Sequence, residues 1–350
     1  MMKKTLAAMA LALGLATTPA AAQAPAAIGV SYQPSLYWAL PFHYATVKGW
    51  WAQAGLNPNF STFPAGAPQV AAAAARSWDV GGTGSVPAVL GAVRFNIMTI
   101  GITNDESKTN AVMVRGDRFD AIRANPASLR GQRLLLTTNS TVHFAARRCL
   151  ERLGVNAADM QFVNLGQAQI ITALTSNNGD IAGVWAPNTY TLEERANARY
   201  LCSGAEANAI VPGALIVRSD FAKERPDDVA KFLAVYLRGW SWAKANPAEA
   251  RRLALDFYKQ GGLEVSERAM DQEFALRPTF GLDEQLRIMA RNGATPSVVD
   301  GWFGEIGKFA AEVGTIPANP AAASYISDDF LKRVAANPQL RAFATEFDRR

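Results

Sequence analysis

The chain has 350 residues, of which 49% are apolar, 19% charged and 9% aromatic; this is a globular composition with enough length for two domains, and it excludes disordered and fibrous classes. Lysine and arginine exceed aspartate and glutamate by 35 to 30 without forming a basic run, so a sequence pI near 9.2 carries no nucleic-acid footprint. Two cysteines and two histidines in the whole chain exclude zinc-finger, iron–sulfur and multi-disulfide frameworks.

The segment Met1 to Ala22 opens with Lys3 and Lys4, continues through an apolar stretch from Leu6 to Ala16, and ends in Pro19-Ala20-Ala21-Ala22. That pattern predicts a removable secretory signal, because the stretch falls short of the about 20 apolar residues that span a bilayer. No cysteine follows it before Cys149, so a mature N-terminus offers no lipid acceptor. The expected product is a soluble exported protein. In such an oxidising compartment Cys149 and Cys202 either form a disulfide or remain two buried thiols, and their spacing does not decide between the two.

From Ala27 the chain alternates strands and helices. Strands are expected at Ile28 to Tyr32, Pro58 to Thr62, Trp78 to Gly82 and Ile97 to Ile102, with helices at about Pro41 to Ala54, Ala67 to Arg76 and Ser85 to Val93. Pro41, Pro68 and Pro87 are read as first-turn prolines, where a missing N–H costs nothing, and Gly55 as the residue just past a helix end. An antiparallel run, Ala111 to Val114, precedes a second alternating unit. That unit has strands at Arg133 to Thr137, Gln161 to Leu165, Ile181 to Trp185 and Arg199 to Cys202, and helices at Thr141 to Leu153, Ala168 to Ser176 and Thr189 to Ala196. A strand at Ala214 to Val217 leads into a helical tail. Such alternation implies parallel sheets covered by helices.

Short polar crossings at Thr103 to Thr109 and Glu206 to Pro212 imply an α/β protein of two lobes, the second inserted into the first. The expected division is 27–105 and 213–350 for the first lobe and 106–212 for the second. Parallel sheets bind ligands beyond the carboxyl ends of their strands, so the cleft between the lobes is the expected site. Three strand-to-helix junctions carry hydroxyl or amide residues: Ser31-Tyr32-Gln33-Pro34-Ser35, Thr83-Gly84-Ser85 and Thr137-Thr138-Asn139-Ser140-Thr141. Each of these residues either caps its own helix or helps to hold an anion at the helix N-terminus through neutral donors. Tyr37, Trp38 and Trp185 either pack the lobes or wall a small-molecule pocket. Trp50, Trp51, Trp240, Trp242 and Trp302 are assigned to packing, and His43 to structure.

No Gly-x-Ser-x-Gly elbow, His-Glu-x-x-His or phosphate loop is present, and Gly82-Thr83-Gly84 is followed by Pro87 where a dinucleotide fingerprint needs glycine. A secreted hydrolase or transferase using His143 stays open as a reading of another class. It requires a nucleophile at about 3 Å from the imidazole.

The order of motifs resembles the periplasmic substrate-binding proteins of ABC transporters in the aliphatic sulfonate, taurine, nitrate and bicarbonate group. The matching stretches are Val47-Lys48-Gly49-Trp50-Trp51 with Ala54-Gly55-Leu56, Trp78-Asp79-Val80-Gly81 before Thr83-Gly84-Ser85, Leu129-Arg130-Gly131-Gln132-Arg133, and Gly179-Asp180-Ile181-Ala182 before Trp185-Ala186-Pro187. The resemblance implies a type II Venus-flytrap fold with a helical C-terminal tail. It further implies no catalysis, no cofactor, no metal and no nucleic acid, and a monomer that closes on a small anionic solute and presents it to an inner-membrane permease. Its ligand contacts, carried over, fall near Gln33, Ser35, Thr83, Gly84, Ser85, Asn139, Ser140, Thr141, His143 and Trp185, with Asn188, Pro212 and Gly213 as second-lobe or hinge candidates; Trp38 joins them as the pocket wall read above. The solute so implied is a sulfonate- or carboxylate-like organic oxyanion. A pyrimidine-type vitamin precursor stacked on Trp38 or Trp185 is the alternative. Where family members often carry Trp-Asp-Pro or Trp-Glu-Pro, this chain has Ala186, which removes a counter-charge for an amine-bearing solute.

Overall fold

The structure, a computed structural model, describes residues 24–348, so the signal-peptide segment lies outside the described residues. The chain begins β1 (Ala26–Tyr32), α1 (Leu36–Val47), the single turn α2 (Trp50–Gln53), β2 (Leu56–Thr62), α3 (Gly66–Ala71), β3 (Val80–Gly84), α4 (Ser85–Phe95) and β4 (Ile97–Asp105). It continues through β5 (Asn110–Val114), α5 (Gly116–Ala124), β6 (Arg133–Leu136), α6 (Thr141–Arg152), β7 (Gln161–Asn164), α7 (Gln167–Thr175), β8 (Ile181–Trp185), α8 (Asn188–Ala196) and β9 (Arg199–Ser203). It returns as β10 (Pro212–Arg218) and α9 (Ser219–Glu224). The tail follows as α10 (Pro226–Ala245), α11 (Pro247–Gln260), α12 (Glu267–Leu276), α13 (Leu282–Met289), α14 (Val298–Glu312), α15 (Asp329–Ala336) and α16 (Pro338–Ala344).

Two five-stranded sheets organise these elements, in the orders β2-β1-β3-β10-β4 and β7-β6-β8-β5-β9. β1 pairs parallel with β2 and β3, whereas β10 runs antiparallel between β3 and β4. β5 is likewise antiparallel, between β8 and β9, as expected for Ala111 to Val114. The central strands β3, β5, β8 and β10 are buried at every residue, consistent with helices covering both faces. The architecture is therefore two α/β lobes, the second built from chain inserted between β4 and β10, with a helical C-terminal tail. Among the described residues no helix is long and apolar enough to cross a membrane.

The first helix corrects the sequence reading. It starts at Leu36 rather than near Pro41, so Tyr37 and Trp38 stand in its first turn, and Pro41 lies inside it. Proline cannot supply the N–H that the carbonyl of Tyr37 would receive four residues earlier. The hydroxyl of Tyr236 on α10 donates to that carbonyl instead, at 2.6 Å. The Pro41 ring fits because Gly239 faces it: a β-carbon on Gly239 would lie 2.6 Å from Pro41 Cβ. Trp50, Trp51, Trp240 and Trp242 are buried in the main core as expected, while Trp302 is half-buried beside it. α5, α9 and α16 were not anticipated.

Cys149 on α6 and Cys202 on β9 form a disulfide, with α-carbons 5.7 Å apart. The bridge sits within the apolar core of the second lobe, so the thiol alternative does not hold.

Candidate binding cleft

The strand-to-helix junctions that the sequence singled out meet across the two lobes. α4 begins directly on the end of β3, with Gly84 as its extended N-cap (φ −76°, ψ 162°). α6 begins after Ser140 (φ −125°, ψ 169°), preceded by Asn139 in the left-handed region at φ 56°. The two ends touch, since a β-carbon on Gly84 would lie 2.6 Å from Thr141 Cγ2. Each helix end carries unpaired N–H groups and partial positive charge, so their approach makes a place for negative charge. Trp38, in the first turn of α1, reaches the same point, with Cζ2 3.6 Å from that β-carbon position.

Ser85 Oγ, in the first residue of α4, and Ser35 Oγ, at the N-cap of α1, are buried without a hydrogen-bond partner. A hydroxyl in that state costs free energy until a partner arrives. Both are free to take one. Ser140 is different: its hydroxyl donates to Thr137 O at 2.6 Å and accepts from His143 N at 3.4 Å, the ordinary work of an N-cap.

Several of the expected contacts are spent inside the protein. Gln33 Nε2 donates to Gln69 Oε1 and, at 3.1 Å, to Thr83 Oγ1. Gln69 Nε2 in turn donates to Ser31 Oγ and Gly82 O, so one buried amide knits the ends of β1 and β3. In the second lobe Gln167 does the same: its Oε1 accepts from Asn188 Nδ2 and from the N–H of Trp185, and its Nε2 donates to Thr137 Oγ1. Asn139 Oδ1 accepts from Thr315 Oγ1 at 2.6 Å, a bond across the lobes. Gly213 pairs with Gly84 and Pro212 with Asp105, and a β-carbon on Gly213 would lie 2.8 Å from Trp38 Nε1. Gly213 thus makes room for the indole. Gln69, Gln167 and Thr315 were missed by sequence reasoning, and a single amide or hydroxyl on a helix or turn gives no local signal.

His143 is wedged between Phe162 and Phe309, with ring centroids 5.4 and 5.0 Å away. Burial, helped by Arg147, lowers its pKa to about 4, so the imidazole is neutral at pH 7. Its Nδ1 accepts the N–H of Asn139 at 3.4 Å. Among the described residues no hydroxyl or thiol is hydrogen-bonded to this ring.

A second group of residues, also missed, is buried behind Trp38. Glu106, on the crossing after β4, accepts from Trp38 Nε1 at 2.5 Å and from Asn110 Nδ2 at 3.1 Å. Arg277, just after α12, reaches Glu106 at 3.6 Å and Glu273 at 2.8 Å, and all three charged side chains are fully buried. Burial raises the pKa of both glutamates against the lowering effect of Arg277. Burial alone would lower that of Arg277, but the two carboxylates raise it. Glu273 and Arg277 stand four positions apart at the end of α12, the spacing of an ordinary helix ion pair.

A family model described as NMT1/THI5 like matches residues 38–250. A putative aliphatic sulfonates-binding protein of Bacillus subtilis is 26% identical over 221 residues, covering 62% of this chain and 66% of that protein. The taurine-binding periplasmic protein of Escherichia coli is 28% identical over 210 residues, covering 59% of this chain and 62% of that one. The chain thus spans a little under two thirds of the length of these relatives. In three dimensions it resembles the periplasmic aliphatic sulphonate binding protein SsuA from Escherichia coli, with a TM-score of 0.69 at 16% identity, over 87% of this chain and 92% of that one. The chain belongs to the NMT1/THI5-like family and has the two-lobed fold of periplasmic solute-binding proteins.

Proposed function

We propose that this protein is the solute-binding component of an ABC importer, catching a small organic oxyanion between its lobes in the periplasm and handing it to a membrane permease. The observation that carries this reading is the meeting of the α4 and α6 N-termini from separate lobes beside Ser85 Oγ, a buried hydroxyl that nothing in the protein bonds. An oxyanion there would complete the hydrogen bonding of both helix ends and would link the lobes, so binding and closure are one event. Trp38 stands beside this point as a wall for an organic tail, which favours a sulfonate- or carboxylate-like solute over a bare inorganic ion. The relatives named for sulfonates and taurine support the same class.

Calorimetry on the purified mature chain with alkanesulfonates, short carboxylates, nitrate and bicarbonate tests it. At least one organic oxyanion should bind with a sub-millimolar Kd. Binding of none of them would remove the reading.

A further inference from the structure

A cavity separate from the cleft is lined by first-lobe residues only, at the carboxyl ends of β1 and β2. It has a volume of about 400 Å3 and lies between Tyr32 of β1, Phe60 and Thr62 of β2, the helix α1, and the end of α11 at Phe257. Small-molecule pockets run from about 300 to 1,000 Å3, so this one suits a compact guest. The chain itself divides it from the cleft. Tyr32 and Pro34 line the cavity, whereas Gln33 between them turns to Gln69 and Thr83 on the β3 side.

The walls are rings. The Tyr32 centroid stands 6.3 Å from that of Phe42, 6.1 Å from Phe60 and 6.2 Å from Phe257, at interplanar angles between 46° and 68°, and Phe257 stands 5.7 Å from His43. Rings set at such angles offer a flat aromatic guest one face to stack on and another edge to meet. Tyr32 and Phe60 are only half-buried, so part of this aromatic surface is open. Among the described residues no aspartate, glutamate, lysine or arginine lines the cavity. Burial lowers the pKa of His43, against the raising effect of Asp256, and burial raises that of Tyr32, so both are neutral at pH 7. A charged guest would lose hydration here and meet no counter-charge.

The polar handle is His43, whose Nε2 is buried with no hydrogen-bond partner. Thr46, three residues further along α1, is already spent: its hydroxyl donates to Phe42 O at 2.9 Å and accepts from Trp51 Nε1 at 3.2 Å. The remaining polar lining residues, Thr62 and Gln260, are exposed. An unpaired ring nitrogen among aromatic walls fits the usual make-up of a ligand pocket, apolar lining with few placed polar groups.

We infer that this cavity is a second binding site, for a small neutral aromatic molecule carrying one hydroxyl or ring N–H, such as a phenol or an indole. Its ring would lie among Tyr32, Phe60 and Phe257, and its polar group would bond His43 Nε2. Because every wall belongs to the first lobe, the site fills without closure of the lobes and does not depend on the oxyanion reading.

Fluorine NMR of 4-fluorophenol titrated with the mature chain tests it, with the imidazole signals of the two histidines followed in parallel. The phenol should bind saturably with a sub-millimolar Kd, shift the His43 signals and leave those of His143 in place. Phenol and indole should displace it, and cyclohexanol should compete about tenfold less well. His43→Phe keeps a ring and removes the nitrogen, so it should weaken 4-fluorophenol about tenfold, the scale of one hydrogen bond, and fluorobenzene less than about twofold. Thr62→Trp sets a bulky side chain at the cavity and should weaken both. His43 is half-buried and Thr62 exposed, so neither substitution opens the core. Absence of saturable binding by the wild-type chain overturns the site. So does a shift of His143 in place of His43, equal competition by cyclohexanol, or undiminished 4-fluorophenol binding in both variants.

Discussion

Gly84→Ala isolates the contact between the lobes. The backbone of Gly84 is extended at φ −76°, a conformation alanine adopts freely, so the substitution brings no backbone strain. What it adds is a methyl 2.6 Å from Thr141 Cγ2, where ordinary contact between carbons needs about 3.5 Å or more. Thr141 is β-branched, buried and in the first turn of α6, so its methyl has few other places to go. The lobes must stay apart by roughly an ångström or absorb an overpacking cost of about 1–3 kcal/mol. That cost falls on the closed state, so it weakens solute binding by about 5- to 150-fold. Calorimetry gives the affinity and chemical denaturation the stability, which should change little because each lobe folds around its own sheet. Thr141→Ser removes the offending methyl, and the double variant should recover most of the affinity. Unchanged affinity in Gly84→Ala, or no recovery in the double variant, would show that the α4 and α6 ends do not close on a shared solute.

Ser85→Ala deletes a buried hydroxyl without a partner, so stability should hold or rise slightly in thermal melts. Affinity for a charged oxyanion should still drop by about 1.5–3 kcal/mol, the worth of a hydrogen bond to a charged group; a parallel loss of both would make Ser85 structural. Reducing the Cys149–Cys202 bridge opens a link between residues 53 positions apart, and the chain-entropy model puts the loss at up to about 4 kcal/mol. Urea melts with and without reductant measure it, and coincident curves would refute it. Burial and Arg147 depress the pKa of His143 to about 4, below its unfolded value, so its neutral form stabilises the fold above pH 6.5. That contribution should fade as pH falls from 6.5 toward 4, and His143→Gln should flatten the pH dependence of stability over this window.

Much of the fold was legible because its signals are local. Strand and helix periods, Gly55 at φ 71°, and the hydroxyl residues of Thr83-Gly84-Ser85 and Asn139-Ser140-Thr141 announce themselves within a few positions. The same locality explains the misreading of α1. Pro41 is a stop signal in any short window, and only Tyr236, 195 positions later by residue number, supplies the hydrogen bond that lets the helix run through it.

The cleft was legible on the same terms: its helix ends could be located, but what they face could not. Asn139 reads as an anion contact until Thr315 is seen bonded to it, 176 positions away. Glu273 and Arg277 carry no signal of their own in the sequence, yet the fold seals them at zero exposure against Tyr37, whose hydroxyl donates to the Glu273 carbonyl 236 positions away. Sequence reasoning placed the negative charge of the solute from the helix ends and found no carboxylate near Trp185 to receive an amine. The fold buries two that no local window links, Glu106 on the crossing after β4 and Glu273 on a tail helix. In such a protein the generic part of recognition is written in junctions that any member of the fold must have. The discriminating part comes from long-range burial, where charge without a partner costs most and therefore selects most strongly what can enter.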